Sequence, residues 1–219
     1  MTQRVSLHYA AVPSQPQQML EATWFARLPR AKAAAIGRLR APADRNASLL
    51  GVALLAAACA ELGLAFDAAA LEYPGEGKPR LPNGPDFSIS HTAGLVACAV
   101  ATSGRVGLDI EVFGSVTARV AARMFSAEER ACIERGELRA SDAWVMKEAV
   151  VKLTGRGIGA LHAVAVEPAR ATLEGVEYWL EAIGVPYGYV AWLASDSATR
   201  AVSVHAADAA ATGPLPMAR

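Results

Sequence analysis

Three short strand-like runs follow one another closely between residues 86 and 113, and they constrain the fold more than any other feature of the chain. They cover 86–90, 95–101 and 106–113, and the segments between them, 92–94 and 103–105, contain glycine and short polar residues. Apolar alternation interrupted by such turn residues is typical of neighbouring strands. A sheet in the middle of the chain is therefore predicted.

Helical composition flanks this sheet on both sides. Helices are predicted upstream at 17–28 and 45–63, the second with Asp44 as its N-cap, and downstream over 116–153, where Ser126 and Glu129 have the capping-box spacing. Further strands are predicted at 5–12, 161–167, 175–182, 187–194 and 200–206. This order favours an α+β fold with an N-terminal subdomain, 1–105, a C-terminal subdomain, 106–207, and a loose tail, 208–219.

The charge balance argues against a nucleic-acid partner. Basic and acidic residues number 21 each, although residues 1–50 carry seven basic residues against two acidic ones. A basic segment of this kind could meet phosphates or an acidic partner, or it could be a solvated helix face. Hydrophobic residues make up 53% of the chain, which is typical of a globular protein.

The cysteines and the apolar runs give no sign of export or of a membrane. Cys59, Cys98 and Cys132 lie far apart in apolar surroundings and favour reduced thiols over a disulfide or a metal site. The N-terminus lacks the apolar core of a signal peptide, and the alanine-rich run 49–64 is shorter than a membrane span. We expect a cytoplasmic protein without a membrane partner.

Two acidic residues stand at alternate positions of the third run, Gly107-Leu108-Asp109-Ile110-Glu111. On a strand, Asp109 and Glu111 project from one face while Leu108 and Ile110 point into a core. Carboxylates that repel each other on one face are suited to a hard divalent ion such as Mg²⁺. Taken alone, an exposed strand that carries two acids by chance explains the pair equally well.

Two further groups of polar residues have chemical potential. Glu148 and Lys152 are four residues apart on one face of a helix that is otherwise apolar, a pair that could also be an ordinary surface ion pair. Ser88, Ser90 and His91 follow one another at the end of the first run, and Lys78 precedes them. These are donors suited to phosphate oxygens, although a histidine at a strand end is more often structural.

Taken together, these segments resemble the surfactin-synthetase-activating type of 4'-phosphopantetheinyl transferase. The matching segments are Gly77-Lys78-Pro79, Phe87-Ser88-Ile89-Ser90-His91, Gly107-Leu108-Asp109-Ile110-Glu111, the run from Trp144 to Lys152, and Gly155-Arg156-Gly157. They occur in the family's order over residues 75–158, with weaker similarity over 30–51. The resemblance implies a monomer of two similar α/β halves with pseudo-twofold symmetry and an active site in the cleft between them.

The resemblance also implies a role for each matching residue. Asp109, Glu111 and Glu148 are expected to bind Mg²⁺, and Glu148 is also expected to accept the proton of the attacking hydroxyl. Lys152 is expected to neutralise the transferring phosphate. The residues expected to bind the phosphates of coenzyme A are Lys78, Ser88, Ser90 and His91, together with Lys32 and Arg45 for the 3'-phosphate. Family members often carry an arginine two positions before a Leu-Leu-Gly, where this chain has Ala47.

The activity implied is transfer of 4'-phosphopantetheine from coenzyme A to a serine of an apo acyl or peptidyl carrier protein. The second product is 3',5'-ADP. Residues 119–125, with Arg119 and Arg123, are the predicted docking surface for an acidic carrier. The alternatives are a Mg²⁺-dependent phosphohydrolase, which explains the three acids but not Lys78, Ser90 and His91, and an inactive module that binds nucleotides or carrier proteins.

Overall fold

The protein is described here by a computed structural model covering residues 2–75, 77–198 and 200–209. Its helices are α1 (Gln18–Trp24), α2 (Arg30–Gly37), α3 (Pro42–Glu61), α4 (Ala118–Met124), α5 (Ala127–Glu134) and α6 (Ala140–Thr154). Its strands are β1 (Gln3–Ala11), β2 (Asp86–Thr92), β3 (Leu95–Ala101), β4 (Val106–Val112), β5 (Val164–Glu167), β6 (Arg170–Leu173), β7 (Val176–Ala182), β8 (Tyr189–Ser195) and β9 (Arg200–Ala206). The predicted α+β class is confirmed.

The strands form two sheets, and each sheet is covered by one long helix. The first sheet has the order β2-β3-β1-β9, and the second has the order β4-β8-β7-β6-β5. Helix α3 packs on the first sheet and α6 on the second. A third apolar cluster lies between the sheets and includes Leu7 and Ala97 from the first and Leu108 and Leu193 from the second. The layers therefore follow one another as helix, sheet, sheet and helix.

The two halves have the same topology. In the first half the order β2-β3-β1 is antiparallel throughout, and α3 follows β1 along the chain. In the second half the order β7-β8-β4 is also antiparallel, and α6 follows β4. Strand β1 therefore corresponds to β4, and α3 corresponds to α6. This equivalence agrees with the two similar subdomains expected from the sequence.

The last strand differs from the predicted subdomain division. Strand β9 was expected within the C-terminal subdomain, 106–207, yet it pairs in parallel with β1, with His8 opposite His205. The pairing covers a β1 edge that would otherwise leave its backbone groups without partners. The remaining division stays a prediction, and residues 210–219 of the predicted tail lie outside the described residues.

Local sequence explains where the helices begin and end, with one difference from the prediction. Helix α3 starts with Pro42 after an N-cap at Ala41, and Asp44 lies in its first turn instead of capping it. The predicted capping box of Ser126 and Glu129 begins α5, and Gly155, with a φ of 71°, ends α6. Helix α2 and strand β6 were not predicted.

Helix α3 has the length and apolar composition of a membrane span, and it is the one helix of that kind in the described part of the chain. Its most apolar stretch is 61% buried within the protein. Leu49, Leu50, Leu54 and Leu55 contribute to the core under the first sheet. This burial is typical of a central core helix.

A glycine brings the second helix unusually close to its sheet. A Cβ atom at Gly107 would lie 1.9 Å from the Ala149 carbonyl oxygen and 2.4 Å from the Leu153 nitrogen. The backbones of β4 and α6 can therefore approach only because residue 107 has no side chain. This contact places the side chains of α6 next to the carboxylates of β4.

Candidate active site

The two sheets are joined at their edges by side chains of β2. The backbone N–H groups of Val106, Leu108 and Ile110 on β4 donate hydrogen bonds to side-chain oxygens on β2, over 2.8, 2.9 and 3.3 Å. The acceptors are Asp86, Ser88 and Ser90, respectively. The constant spacing of twenty residues shows that β2 runs parallel to β4. Alternate side chains of β2 thus satisfy the β4 edge in place of a backbone ladder.

This junction places a lysine, a serine and an aspartate in direct contact. Lys152 Nζ donates to Asp109 Oδ1 over 2.6 Å and to Ser90 Oγ over 2.7 Å. Ser90 Oγ donates to the same Asp109 oxygen over 2.9 Å. Asp109 is 1% exposed, whereas the Lys152 side chain is 31% exposed. A buried carboxylate is therefore held by a lysine that reaches solvent.

The second oxygen of Asp109 is buried and has no hydrogen-bond partner among the described residues. A buried carboxylate oxygen of this kind is costly unless another group satisfies it. Glu111 and Glu148 lie within electrostatic reach of Asp109 or of each other and add hard oxygen donors of the type that Mg²⁺ takes from proteins, although the three carboxylates of the described structure do not converge within 4.8 Å. The chemistry of these donors therefore fits the divalent ion predicted from the sequence, and the side chains of Glu111 and Glu148 would move toward Asp109 to bind it.

The other two acids have different surroundings. Glu111 Oε2 accepts a hydrogen bond from Thr92 Oγ1 over 2.9 Å. Burial raises the pKa of Glu148 from its usual 4.5 to about 7, and the negative charges of Asp109 and Glu111 raise it while Lys152 opposes them. Glu148 is therefore partly protonated near neutral pH when no cation is bound. A carboxyl group that titrates in this range is suited to proton transfer.

A cavity of about 290 Å³ opens beside these residues. Its lining includes Lys78, Ser88, Glu148, Lys152 and Ile158. The cavity therefore combines two lysine side chains and one carboxyl group with an apolar wall. A ligand that combines phosphates with an apolar part would match this lining.

The side chain of Lys78 is held in place by two hydrogen bonds. Its Nζ donates to Asp86 Oδ2 over 2.5 Å and to the Val106 carbonyl oxygen over 2.7 Å. Burial lowers its pKa, while the charge of Asp86 raises it. Asp86 also accepts the Val106 N–H, so one carboxylate fixes both the lysine and the start of β4. Asp86 was not among the predicted site residues, although its position continues the alternation of Ser88 and Ser90 along β2.

His91 lies at the exposed end of β2 among charged groups. Loss of solvent around the ring lowers its pKa, and Lys152 and Lys32 lower it further, while Asp44 and Glu111 raise it. The imidazole is therefore neutral at pH 7. Lys32 is also within 4.7 Å of the centre of the Tyr73 ring. Two predicted phosphate contacts, Lys32 and His91, thus lie in the same electrostatic environment as Lys152.

Arg45 has different partners from those predicted. Its Nη1 donates to the carbonyl oxygens of Leu39 and Arg40 over 2.7 and 3.2 Å, and its Nε lies 3.4 Å from Glu21 Oε1. These contacts tie α3 to α1 and to the end of α2. The Arg45 guanidinium therefore hydrogen-bonds to the turn between α2 and α3, and Arg45 is not among the residues that line the cavity.

The two serines have contacts that were not predicted. Ser88 and Ser90 are 3% and 2% exposed, and their hydroxyl groups bond to β4 and Lys152. Ser88 also lines the cavity, so the expected contacts of the serines with coenzyme A phosphates stay a prediction beside their observed role at the junction of the sheets. Thr92, which holds Glu111, was missed because a lone threonine at a strand end carries no pattern.

The structure thus combines a two-half α+β fold with acidic and lysine side chains at the junction of the halves, a set of groups suited to a ligand that carries phosphates. Comparison with known proteins adds to this observation. Residues 105–193 match the family model described as the 4'-phosphopantetheinyl transferase superfamily. A curated relative, the 4'-phosphopantetheinyl transferase psf-1 of Bacillus pumilus, is 36% identical over 135 residues. These matches confirm the resemblance predicted from the motifs.

The similarity is partial in length. The alignment covers 58% of this chain and 58% of the relative from Bacillus pumilus. The family match includes Asp109, Glu111, Glu148 and Lys152, and it excludes β1, β2, β3 and the helices between them. The acidic cluster therefore lies within the matched region, whereas Lys32, Lys78 and His91 lie outside the family match.

Proposed function

We propose that the protein transfers 4'-phosphopantetheine from coenzyme A to a serine of an apo acyl or peptidyl carrier protein, with Mg²⁺ as the required ion. The observation that carries this proposal is the unsatisfied, buried Oδ2 of Asp109 beside Glu111, Glu148 and Lys152. The confirmed similarity to 4'-phosphopantetheinyl transferases supports it. The adjacent cavity has room for phosphate groups and an apolar arm.

The reaction breaks one phosphorus–oxygen bond and forms another. The serine oxygen of the carrier bonds to the phosphorus that bears pantetheine, and the bridging oxygen leaves with 3',5'-ADP. Glu148, which lines the cavity beside Lys152, accepts the serine proton directly or through a water molecule. Lys152, which already donates to Asp109, turns its exposed ammonium group toward the oxygens that gain charge.

Asp109, Glu111 and Glu148 would hold the ion. When bound, Mg²⁺ would supply positive charge that stabilises the pyrophosphate oxygens and the leaving group. Lys78, fixed by Asp86, orients a phosphate from the opposite wall of the cavity. Positioning and electrostatic stabilisation therefore account for most of the expected rate enhancement.

The carrier protein is proposed to dock on α4. Arg119 and Arg123 are exposed and lie four residues apart, so they share one face of this helix. The helix contains no acidic residue. An acidic carrier surface would meet this face by charge complementarity, and its contribution should weaken with added salt. We also propose that the enzyme acts as a cytoplasmic monomer, as expected from the sequence.

A single assay tests the proposed function. The protein is incubated with coenzyme A, Mg²⁺ and an apo carrier protein, and the mass of the carrier is measured. The expected result is a gain equal to one phosphopantetheine arm, together with release of 3',5'-ADP, and no gain when a chelator removes the ion. Phosphate release without a mass gain would favour a phosphohydrolase, and binding without turnover would favour an inactive module.

A further inference from the structure

Two histidines and a glutamate meet at the far end of the first sheet, away from the candidate active site. His8 Nε2 lies 2.9 Å from Glu61 Oε2, and His205 Nε2 lies 3.0 Å from Glu61 Oε1. His8 and His205 are opposite each other on β1 and β9, and their rings stack with centroids 4.7 Å apart. The three ligand atoms lie within 4.8 Å of one another.

We propose that this His-Glu-His cluster, formed by His8, Glu61 and His205, binds a divalent transition-metal ion of the zinc class. Two imidazole nitrogens and one carboxylate oxygen are ligands that Zn²⁺ and neighbouring metals take, with further positions open to solvent. Mg²⁺ and Ca²⁺ prefer sets of oxygen ligands instead. The cluster is thus chemically different from the carboxylates around Asp109.

The ligand atoms lie near the spacing that such an ion requires. Bonds of about 2.0 Å to a tetrahedral Zn²⁺ place two ligand atoms about 3.3 Å apart. The separations of 2.9 and 3.0 Å join the two imidazoles to different oxygens of Glu61, and the three ligand atoms lie within 4.8 Å of one another, so the side chains would turn to bring both nitrogens and one carboxylate oxygen to a common centre. Glu61 and His205 are exposed residues, so their side chains have room for this movement.

Neighbouring serines orient the carboxylate. Ser6 Oγ donates to Glu61 Oε2 over 2.6 Å, and Ser203 Oγ donates to Glu61 Oε1 over 2.8 Å. Hydrogen bonds of this kind fix the ligands of metal sites and maintain their charge. Although partial burial opposes them, the bonds from Ser6, Ser203 and His8 lower the pKa of Glu61 to about 2. Metal binding at His8 Nε2 would replace the hydrogen bond between this nitrogen and Glu61 Oε2.

The ion would link segments that are far apart in the chain. Its ligands come from β1, from the last turn of α3 and from β9, which closes the first sheet. Because the unfolded chain does not hold these groups together, metal binding would stabilise the folded state. The site would therefore act on the attachment of the C-terminal strand and not on transfer chemistry.

Titration with Co²⁺, which reports its coordination by visible absorption, tests the proposal. Excess Mg²⁺ is present so that the carboxylates around Asp109 are occupied. The expected result is uptake of one equivalent of Co²⁺ with the strong bands of a four- or five-coordinate nitrogen-containing site, and displacement by Zn²⁺. At a hundredfold excess of Zn²⁺ over its Kd, the melting temperature should rise by roughly 5–10 °C.

Two variants and two controls identify the ligands. His205→Gln and Glu61→Gln should each weaken Co²⁺ binding at least about tenfold and remove most of the melting shift. His162→Gln alters an exposed histidine outside the cluster, and Asp109→Asn alters the candidate active site, so both should bind Co²⁺ as the unaltered protein does. Two results would contradict the proposal: no uptake of Co²⁺ by the unaltered protein, or uptake by His205→Gln and Glu61→Gln equal to that of the unaltered protein. In either case the cluster would be only a hydrogen-bonded link between strands.

Discussion

The two halves of the molecule carry polar clusters at equivalent positions, but the chemistry of the clusters differs. In the second half Asp109 on β4 meets Lys152 near the end of α6 and Ser90 on the accompanying strand β2. In the first half His8 on β1 meets Glu61 at the end of α3 and His205 on the accompanying strand β9. The shared topology thus carries carboxylate oxygens at this position in the second half, and two imidazoles beside a carboxylate at the corresponding position in the first half.

The accompanying strands differ as well. Strand β9 pairs with β1 through a regular parallel ladder, whereas β2 accompanies β4 only through its side chains. A backbone ladder brings strands to about 4.8 Å, while interposed side chains hold them further apart. The cavity beside Lys152 lies between β2 and α6, and its lining includes Ser88 and Ile89 from β2 and Glu148 from α6. The candidate cleft therefore opens next to the junction at which β2 side chains replace a backbone ladder.

The largest expected effect is that of Asp109→Asn. The variant keeps the size of the side chain and an acceptor for Ser90, but it loses the charge that pairs with Lys152 and binds the ion. Carrier modification should fall below detection, because the acidic set is then incomplete. The measurement is carrier mass after incubation at saturating Mg²⁺, with Glu134→Gln, an exposed acid on α5, as the matched control. Turnover close to that of the control would remove Asp109 from the site.

Glu148 and Lys152 should show strong but distinct losses. Glu148→Gln should lower single-turnover transfer by about 10²–10⁴-fold while coenzyme A still binds, because an oxygen ligand remains and the base is lost. Lys152→Ala should weaken nucleotide affinity as well as rate. The double variant should lose less than the product of the two single losses, since both groups act on one transition state. Clean multiplication of the two effects would contradict a shared site.

Replacing one glycine in each half tests how closely helix and sheet approach there, by the loss of unfolding free energy that an added Cβ causes. Gly107→Ala should destabilise the protein by about 3 kcal/mol or more, because the new Cβ meets the Ala149 backbone. In Gly51→Ala, where α3 faces β2, the new Cβ would lie 2.8 Å from the Cγ2 methyl group of Ile89, a side-chain contact and not a backbone one, so its cost should be smaller, about 1–2 kcal/mol. Urea unfolding measures both, with Gly159→Ala, which meets nothing within 4 Å, as control. Equal costs at the two positions would contradict the special closeness of β4 and α6.

Ser88→Ala tests whether the β2 serines join the sheets or bind the substrate. The variant leaves the buried Leu108 N–H without its acceptor, which should cost about 1–3 kcal/mol of unfolding free energy. The KM for coenzyme A should stay within about twofold. A raised KM with unchanged stability would instead restore the phosphate contact predicted from the sequence.

The sequence predicted the parts of the site that one element carries on its own. Alternation placed Asp109 and Glu111 on one face of a strand, and helical spacing placed Glu148 with Lys152. It could not predict that alternate β2 side chains would bond to the β4 backbone, because that depends on how two sheets meet. The same limit applies to β9, whose composition suits either sheet, and to the cluster of His8, Glu61 and His205, which are almost two hundred residues apart from first to last.

The fold was predictable to a similar depth. Strands β2, β3 and β4 and the capping box of α5 follow from local residue patterns, and they were predicted almost to their ends. Helix α2 was missed because Pro29 and a short, basic stretch give no apolar stripe. Arg45 is expected at the 3'-phosphate from the family resemblance and its place in the basic segment. Its commitment to the carbonyl groups of Leu39 and Arg40 depends on the turn between α2 and α3.

The smallest expected effect is a difference in how the two clusters respond to pH when no metal is present. In the folded protein burial raises the pKa of Glu148 to about 7, so the folded state holds a proton that the unfolded state has released. Stability from this group is therefore lost as the pH rises from about 4.5 to about 7. Glu61, whose folded pKa is about 2, has the opposite sign, since its contribution is present above about 4.5 and is lost as the pH falls toward 2.

Urea midpoints measured across this range in the presence of a chelator separate the two signs. Glu148→Gln should flatten the decline between about pH 4.5 and 7. After solvent screening the stability difference at pH 7 should be about 1 kcal/mol. With an m-value of about 2 kcal/mol/M, this difference shifts the urea midpoint by about 0.5 M. Glu61→Gln should leave that decline intact and remove the gain between about pH 2 and 4.5. If both variants altered the same window, the two clusters would not be electrostatically independent. The contrast between an acid kept protonated by its burial and one kept ionised by its hydrogen bonds would then be wrong.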